Sequence, residues 1–263
     1  MNPRHEYPIS IAVDRVTVRY NRITALNDIS FALQRGLRVA VVGPNGAGKS
    51  TLFKVITGTL RPTQGWVRLF GTDPESHACV AYVPQRSQVD LTFPVNVRDV
   101  VLMGRIGRLG PLRWPGRRDR QLVQECLALV DMAGLAQRHI SELSSGQLQR
   151  VFIARALAQE AEIMLMDEPL TGLDVKSQED IFGILDELRR RQVTVLVATH
   201  DLIQASERFD QVMLLNGRLV GFGLPKEVFT PALLNQAYGG TLQLIETTNG
   251  QVLVSNSQFG LEE

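Results

Sequence analysis

The chain has 263 residues, 44% of them hydrophobic and 21% charged, with a formal net charge of +1, which is ordinary for a globular protein with one large domain or two lobes. The balanced charge argues against a whole-chain attraction to nucleic acid or an anionic membrane, and the apolar runs are strand-length, well short of the roughly 20 residues of a membrane helix. The N-terminus lacks the apolar stretch of a secretory signal and two cysteines are too few for a disulfide framework, so a reducing cytosol is the simpler setting and any membrane connection must come through a partner.

The N-terminal part predicts strands followed by a helix. Apolar and polar residues alternate from Ile9 to Phe31, which is typical of short antiparallel strands. The continuous apolar run Leu37–Val42 then stops at a Gly/Pro/Asn turn, as a strand buried on both faces does. A helix should follow over Lys49–Ile56 and end near Gly58, a residue suited to a C-terminal cap.

The middle of the chain, from about residue 95 to 160, has the pattern of helices. Apolar residues share one face over Arg120–Met132 and form a second stripe over Leu148–Leu157, and residues 105–118 are a loop rich in Gly, Pro and Arg. The sequence therefore predicts a helical insert in an α/β core.

Two further buried strands and two hairpins are predicted after the insert. The strands are Ile163–Met166 and Val193–Ala198. Asn216–Gly217 and Asn249–Gly250 are typical turn residues of β-hairpins.

The segment GPNGAGKST matches G-x-x-x-x-G-K-[ST] between the predicted buried strand and helix. Glycines let backbone N–H groups converge on phosphates without side-chain clash, and the helix N-terminus adds partial positive charge. Lys49 is expected to reach the β- and γ-phosphates, and the Ser50 hydroxyl to hold Mg²⁺. A Gly-rich turn without a ligand is the alternative. The expected nucleotide contacts are Gly43, Pro44, Asn45, Gly46, Ala47, Gly48, Lys49, Ser50 and Thr51.

Acidic and imidazole side chains follow the two later buried strands. Asp167 is placed to reach Mg²⁺, and Glu168 beside it to polarise an attacking water. The ordinary alternative for such an acidic pair is a solvated strand end without a function. His200 follows the second of these strands, and the alternative for it is a purely structural histidine. Because ligands bind at the carboxyl ends of parallel strands, where the phosphate loop also lies, the functional interpretation is favoured for all three.

The segment LSSGQLQR resembles the signature of ABC ATPases, whose usual form is L-S-G-G-Q. A helix capped by Ser144 is the simpler interpretation, and it is compatible with a second anion site at the helix N-terminus. Ser145 stands where the family usually has glycine. If this position has φ > 0, the serine costs roughly 1 kcal/mol or more.

The resemblance implies the fold and the domains. The fold is α/β, a P-loop NTPase core with a mainly parallel sheet, an N-terminal antiparallel β subdomain and an inserted α-helical subdomain. The cassette is expected over residues 9–225, with the helical subdomain at about 90–160, and residues 226–263 form a C-terminal extension with a β-hairpin.

The resemblance also implies ATP and Mg²⁺ as ligands and a head-to-tail dimer with two ATP molecules between the copies. The signature residues Ser144, Ser145, Gly146 and Gln147 would then serve the ATP of the second copy. Tyr20 resembles the aromatic residue that stacks on adenine, with a half-buried strand tyrosine as the alternative. Gln85 resembles the glutamine that contacts Mg²⁺ and water, and Asp174 the aspartate that crosses the dimer interface. The catalytic residues would be Glu168, His200 and Gln85.

The stretch Tyr82–Arg105 resembles the manganese/zinc/iron branch of ABC importers, although siderophore, haem and cobalamin importers share part of it. This implies two integral membrane permease subunits, indirectly an extracytoplasmic substrate-binding protein, and a peripheral location on the cytoplasmic face of the membrane. In both branches the segment docks a permease helix. Phe93, Val97 and Val101 are candidates for that contact, with burial in the chain's own core as the alternative for the two valines.

Other classes fit less well. A non-transport ABC ATPase would have long coiled-coil insertions or two cassettes, and a small-molecule kinase would lack the signature. No nucleic-acid partner is expected, because the arginines of the middle loop have few aromatic neighbours and suit a solvated face near anionic lipid. His77 and Cys79 have metal-ligand spacing but no further ligands, so the transported metal should not bind this chain.

Overall fold

The computed structural model describes residues 8–74, 80–85, 91, 93–109, 113–239, 242–247 and 250–255, the last two stretches as backbone. The chain divides into two compact units. The first comprises Met1–Pro74 and Val197–Glu263, and the second Glu75–Leu196.

The described strands and helices follow one another along the chain. The strands are β1 Ile9–Tyr20, β2 Ile23–Gln34, β3 Arg38–Val42, β4 Gln64–Leu69, β5 Val80–Val83, β6 Ile163–Asp167, β7 Thr194–Thr199, β8 Gln211–Leu215, β9 Leu219–Gly223, β10 Leu242–Thr247 and β11 Gly250–Ser255. The helices are α1 Lys49–Ile56, α2 Val97–Met103, α3 Ile106–Leu109, α4 Arg117–Leu129, α5 Ser145–Ala158, α6 Val175–Arg190, α7 Leu202–Arg208, α8 Pro225–Val228 and α9 Pro231–Tyr238.

The first unit contains an antiparallel sheet in the order β2-β1-β4. Val13 lies opposite Phe31 of β2 and Val67 of β4, and all three side chains are buried. The predicted alternation over residues 9–31 is thereby confirmed, but it belongs to two strands of 12 residues each instead of several short ones.

The first unit also holds the strand that leads into the phosphate loop. Its second sheet has the order β7-β3-β8-β9, and the boundary between the units falls inside β7. Strand β3 runs parallel to β8, and β9 returns antiparallel after a turn at Gly217, whose φ of 65° suits glycine. Residues Val39–Val42 are fully buried, as predicted for a strand covered on both faces.

The second unit combines strands β5, β6 and the beginning of β7 with helices α2 to α6. Strands β5 and β6 are parallel, with Tyr82 opposite Leu165. Together with the antiparallel sheet of the first unit, this architecture confirms the predicted fold class.

The last described strands, β10 and β11, pair antiparallel with Thr247 opposite Gly250. Gly250 therefore belongs to β11, although the sequence placed it in the turn. The proposed limits 9–225, 90–160 and 226–263 stay a prediction.

Candidate functional site

The phosphate loop joins β3 to α1 in the first unit. Gly48, the N-cap of α1, has φ = 96°, and a Cβ there would lie 2.7 Å from the Leu26 side chain and from the Ala25 carbonyl. Gly46 has φ = 78° and faces open space. Backbone conformations of this kind are costly for residues with a Cβ, so the glycine positions follow from the geometry of the loop.

Lys49 folds back over the loop that precedes it. Its Nζ donates hydrogen bonds to the carbonyl oxygens of Gly43 at 2.7 Å and Pro44 at 3.1 Å, and the residue is buried. Ser50 and Asn45 are exposed, and no acidic residue lies in the first turn of α1. The positive end of the helix dipole is therefore not neutralised by a side chain of its own first turn, which suits an anion.

Tyr20 and His200 both belong to the first unit and are exposed. Tyr20 ends β1 opposite Ile23, with 43% of its surface accessible, so its ring is open to a stacking partner. His200 follows β7 directly, and the next residue is fixed by two hydrogen bonds. Asp201 N–H donates to Thr199 Oγ1 at 3.1 Å, and Asp201 Oδ1 accepts from the Gln204 N–H at 2.9 Å, capping α7.

Asp167 lies at the end of β6 in the second unit and is buried. The Tyr82 hydroxyl donates a hydrogen bond to Asp167 Oδ2 at 3.2 Å. Burial and the neighbouring Asp167 carboxylate raise the pKa of Tyr82 to about 12, so the hydroxyl remains a donor at neutral pH. The sequence alone predicts no role for Tyr82, although the residue begins the stretch Tyr82–Arg105 that resembles the metal importers.

Glu168 adopts a left-handed backbone conformation with φ = 48°. Gln85 Nε2 donates to Glu168 Oε2 at 3.1 Å, and Thr171 Oγ1 donates to the same oxygen at 3.4 Å. The structure thus brings together two of the predicted catalytic residues. A non-glycine residue with positive φ costs about 1 kcal/mol or more, and such conformations cluster at functional sites.

The signature segment begins α5 with a capping box. Ser144 Oγ accepts from the Gln147 N–H at 3.2 Å, and Gln147 Oε1 accepts from the Ser144 N–H at 3.0 Å, which confirms Ser144 as N-cap. Ser145 is the first residue of the α-helix. Its backbone is therefore right-handed, and the strain considered for a serine at this position does not arise.

Gly146 connects the signature to the predicted interface aspartate within the second unit. A Cβ at Gly146 would lie 2.5 Å from Ser177 Oγ. That hydroxyl donates to Asp174 Oδ2 at 2.9 Å, while the Ser177 N–H donates to Asp174 Oδ1 at 2.9 Å. The Ser177 backbone and side-chain donors lower the pKa of Asp174, which stays ionised as the N-cap of α6.

The segment predicted to dock a permease helix is partly buried. Val97 and Val101 of α2 are fully buried, as the alternative interpretation held, while Phe93 is exposed. The prediction that the arginines of the middle loop form a solvated face is wrong for Arg105. This residue is buried and paired with Asp119 and Glu160. Its burial depends on distant partners that the local composition does not reveal.

His77 and Cys79 lie outside the described residues. Among the described residues, no group of three or more His, Cys, Asp or Glu side chains is arranged to hold a metal ion. No helix in the described part of the chain is long and apolar enough to cross a membrane.

The family model of the ABC transporter matches residues 26–171, more than half of the chain. The chain therefore belongs to the ABC transporter family. Within that family it is the cassette that binds and hydrolyses ATP. Subunits of this family dimerise and work with membrane permeases.

Relatives with assigned roles are similar over nearly the whole chain. The manganese transport system ATP-binding protein MntB of Bacillus subtilis is 44% identical over 90% of this chain and 95% of its own. MntA of Synechocystis, of the same description, is 46% identical over 88% and 91%. The zinc transport system ATP-binding protein TroB of Treponema pallidum is 44% identical over 89% and 88%.

Solved structures agree with the fold. The chain is similar, with a TM-score of 0.80 and 27% identity, to a structure described as an inward-facing metal-chelate type ABC transporter, over 96% of this chain and 100% of that one. An ATP-binding cassette in its ADP conformation gives a TM-score of 0.78 at 25% identity, over 88% and 99%.

Proposed function

We propose that this chain powers the import of a divalent metal, manganese, zinc or iron, through partner permeases, by hydrolysing ATP on the cytoplasmic face of a membrane. The observation that carries the catalytic part is the hydrogen bond between Gln85 and Glu168 at the end of β6. Relatives named for manganese and zinc transport at 44–46% identity support the cargo.

The first unit is proposed to bind ATP. The phosphate loop, residues Gly43–Thr51, would wrap the phosphates with its backbone N–H groups, and Lys49 would turn its ammonium group from the loop carbonyls to the β- and γ-phosphates. Tyr20 would stack on adenine, and His200 would contact the γ-phosphate.

The second unit is proposed to supply the hydrolytic groups. Glu168 would accept a proton from the attacking water, and Gln85 would orient Glu168 through the hydrogen bond that it already makes. We propose Asp167 and the Ser50 hydroxyl as ligands of Mg²⁺, because each offers a hard oxygen of the kind that this ion takes. When bound, Mg²⁺ would neutralise the charge on the phosphates.

The signature is proposed to act on a second copy of the chain. The N-terminus of α5 presents Ser144, Ser145 and Gly146, and Asp174 is held near it through Ser177. An extracytoplasmic substrate-binding protein would deliver the metal to the permeases.

A second candidate cargo is a metal chelate such as a siderophore, haem or cobalamin. It is favoured by the likeness to a metal-chelate type transporter at a TM-score of 0.80. Uptake measurements with Lys49→Ala distinguish a free metal from a chelate.

The cargo is tested by measuring manganese, zinc and iron uptake in host cells that carry Lys49→Ala in place of the wild-type chain. The matched control is Lys54→Ala, an exposed lysine on the same helix. We expect uptake of one metal to fall at least tenfold with Lys49→Ala and to stay normal with Lys54→Ala. Normal uptake of all three metals with Lys49→Ala would contradict import of a free metal, and loss of chelate uptake in the same cells would establish the second candidate.

A further inference from the structure

Two arginines, Arg105 just before α3 and Arg108 within it, hydrogen-bond to the C-terminal end of α5. An α-helix leaves its last carbonyl groups without intrahelical partners. Arg105 Nη1 donates to the Ala158 carbonyl oxygen at 2.8 Å. Arg108 donates to the next two, from Nε to Gln159 at 2.9 Å and from Nη2 to Glu160 at 3.0 Å. Three consecutive carbonyls are thereby satisfied by two cations, which also match the negative end of the helix dipole.

Arg105 links this helix end to α4. Its Nε donates to Asp119 Oδ1 at 2.9 Å, and its Nη1 donates to Glu160 Oε2 at 2.7 Å. Asp119 Oδ2 accepts from the Gly116 N–H at 2.9 Å, where α4 begins. The bonds from Gly116 and Arg105 lower the pKa of Asp119, so the pair is ionised at neutral pH. Because Arg105 is buried, removing it leaves Asp119 without its cation, which is strongly unfavourable.

The segment Gly104–Arg108, here termed the corner, lies directly on the last turn of α5. A Cβ at Gly104 would collide with the Arg155 carbonyl oxygen. Glu160, just after α5, adopts the strained left-handed conformation with φ = 51°. Arg105 donates to its side-chain Oε2, and Arg108 donates to its backbone oxygen and forms an ion pair with Oε2. The corner and the helix end are therefore joined by a continuous set of hydrogen bonds and ion pairs.

Helix α5 has 14 residues, which corresponds to a length of about 20 Å, and its other end is the signature segment. We propose that Arg105 is a positioning residue that fixes α5 through its C-terminal end, so that the corner determines where the signature residues Ser144–Gln147 lie. This inference rests on the proposed function, in which the signature serves the ATP of a second copy.

The experiment measures ATP-driven dimerisation in a Glu168→Gln background, in which we expect slow turnover to let the dimer persist. Arg105→Gln is expected to raise the dimer dissociation constant at least tenfold, while the affinity of the monomer for ATP stays within twofold. Arg105→Lys keeps the positive charge but lacks the planar guanidinium group that donates to three acceptors. We therefore expect an intermediate rise in the dimer dissociation constant. The matched control is Arg138→Gln, which breaks the exposed pair with Glu142 in the same unit and should change neither quantity.

The outcomes distinguish a positioning role from a structural one. A lower melting temperature with unchanged dimerisation, in Arg105→Gln or in Arg105→Lys if the former does not fold, would overturn the inference. An equal loss in Arg138→Gln would overturn it as well. If the Glu168→Gln parent itself stays monomeric with ATP, the proposed function is contradicted first, and the inference with it.

Discussion

At the scale of single residues, Gly48 has two independent reasons to be glycine. Its φ of 96° is unfavourable for any residue with a Cβ, and a Cβ would also meet Leu26 and the Ala25 carbonyl. Gly46 shares the positive φ but faces open space. The two glycines therefore separate the cost of backbone conformation from the cost of a steric clash.

We predict that Gly48→Ala lowers the free energy of unfolding by about 2–4 kcal/mol and abolishes ATP binding, because strain and clash act together. Gly46→Ala is expected to cost only about 1 kcal/mol, the conformational part. Urea denaturation and ATP titration measure both quantities. Equal destabilisation by the two substitutions would contradict the clash at Gly48.

Sequence reasoning located the candidate residues but not their partners. The spacing of GPNGAGKST identified the phosphate loop because the glycines and the lysine are local requirements of the motif. The bonds from Gln85 to Glu168 and from Tyr82 to Asp167 join residues 83 and 85 positions apart, so they depend on the pairing of β5 with β6. The left-handed conformation of Glu168 has no signal in the sequence.

At the scale of elements, helices α5 and α6 approach each other so closely at Gly146 that a Cβ there would clash with Ser177. Ser177 also binds Asp174 with both its N–H and its hydroxyl, so a displacement of Ser177 would disturb the cap of α6. Gly183 lies on α6 with open space around it and provides a matched comparison.

We predict that Gly146→Ala destabilises the fold by about 1–3 kcal/mol, because the new methyl group displaces Ser177. Gly183→Ala should stabilise it by about 0.5–1 kcal/mol, since alanine favours a helix over glycine. Thermal or chemical unfolding of the two variants gives the measurement. Stabilisation by both substitutions would contradict this prediction, because it would mean that Ser177 moves aside without lowering the free energy of unfolding.

The elements themselves were largely predictable. Buried strands were found from continuous apolar runs, and α1 has the predicted bounds Lys49–Ile56. The helices of the middle region began and ended a few residues from their predicted limits, because caps such as Gly116 and Ser144 decide the first turn. The burial of Arg105 cannot be predicted from the sequence, because it is a property of tertiary packing.

At the scale of the whole molecule, one cysteine thiol and two tyrosine hydroxyls have raised pKa values. Burial raises the pKa of the Cys126 thiol to about 11 and that of Tyr238 to about 12, and burial with Asp167 does the same for Tyr82. Each neutral form is favoured in the folded state, so the unfolded chain loses these protons at lower pH. The stability that they contribute is complete below about pH 9 and is lost as pH rises toward 12.

We therefore predict that the free energy of unfolding declines from about pH 9 upward. The double variant Cys126→Ala and Tyr238→Phe, which leaves the strand-end residues intact, should show a shallower decline. Urea denaturation between pH 8 and pH 11 provides the test. An identical pH dependence in both proteins would contradict the assigned shifts.

At the scale of the whole protein, we propose that this ABC ATPase acts as a pair of chains and hydrolyses ATP with Glu168 as the catalytic base. In this proposal the Glu168 carboxylate accepts a proton from the attacking water. Removal of a positioned general base lowers turnover by about 10²–10⁴-fold.

The most direct measurement is steady-state ATP turnover by Glu168→Gln, together with ATP binding and the ATP-dependent oligomeric state, with the exposed Glu142→Gln as control. We predict that Glu168→Gln binds ATP as wild type does, forms a stable dimer and hydrolyses ATP about 10³-fold more slowly. Glu142→Gln should match wild type in all three. Turnover by Glu168→Gln within twofold of wild type would contradict the account.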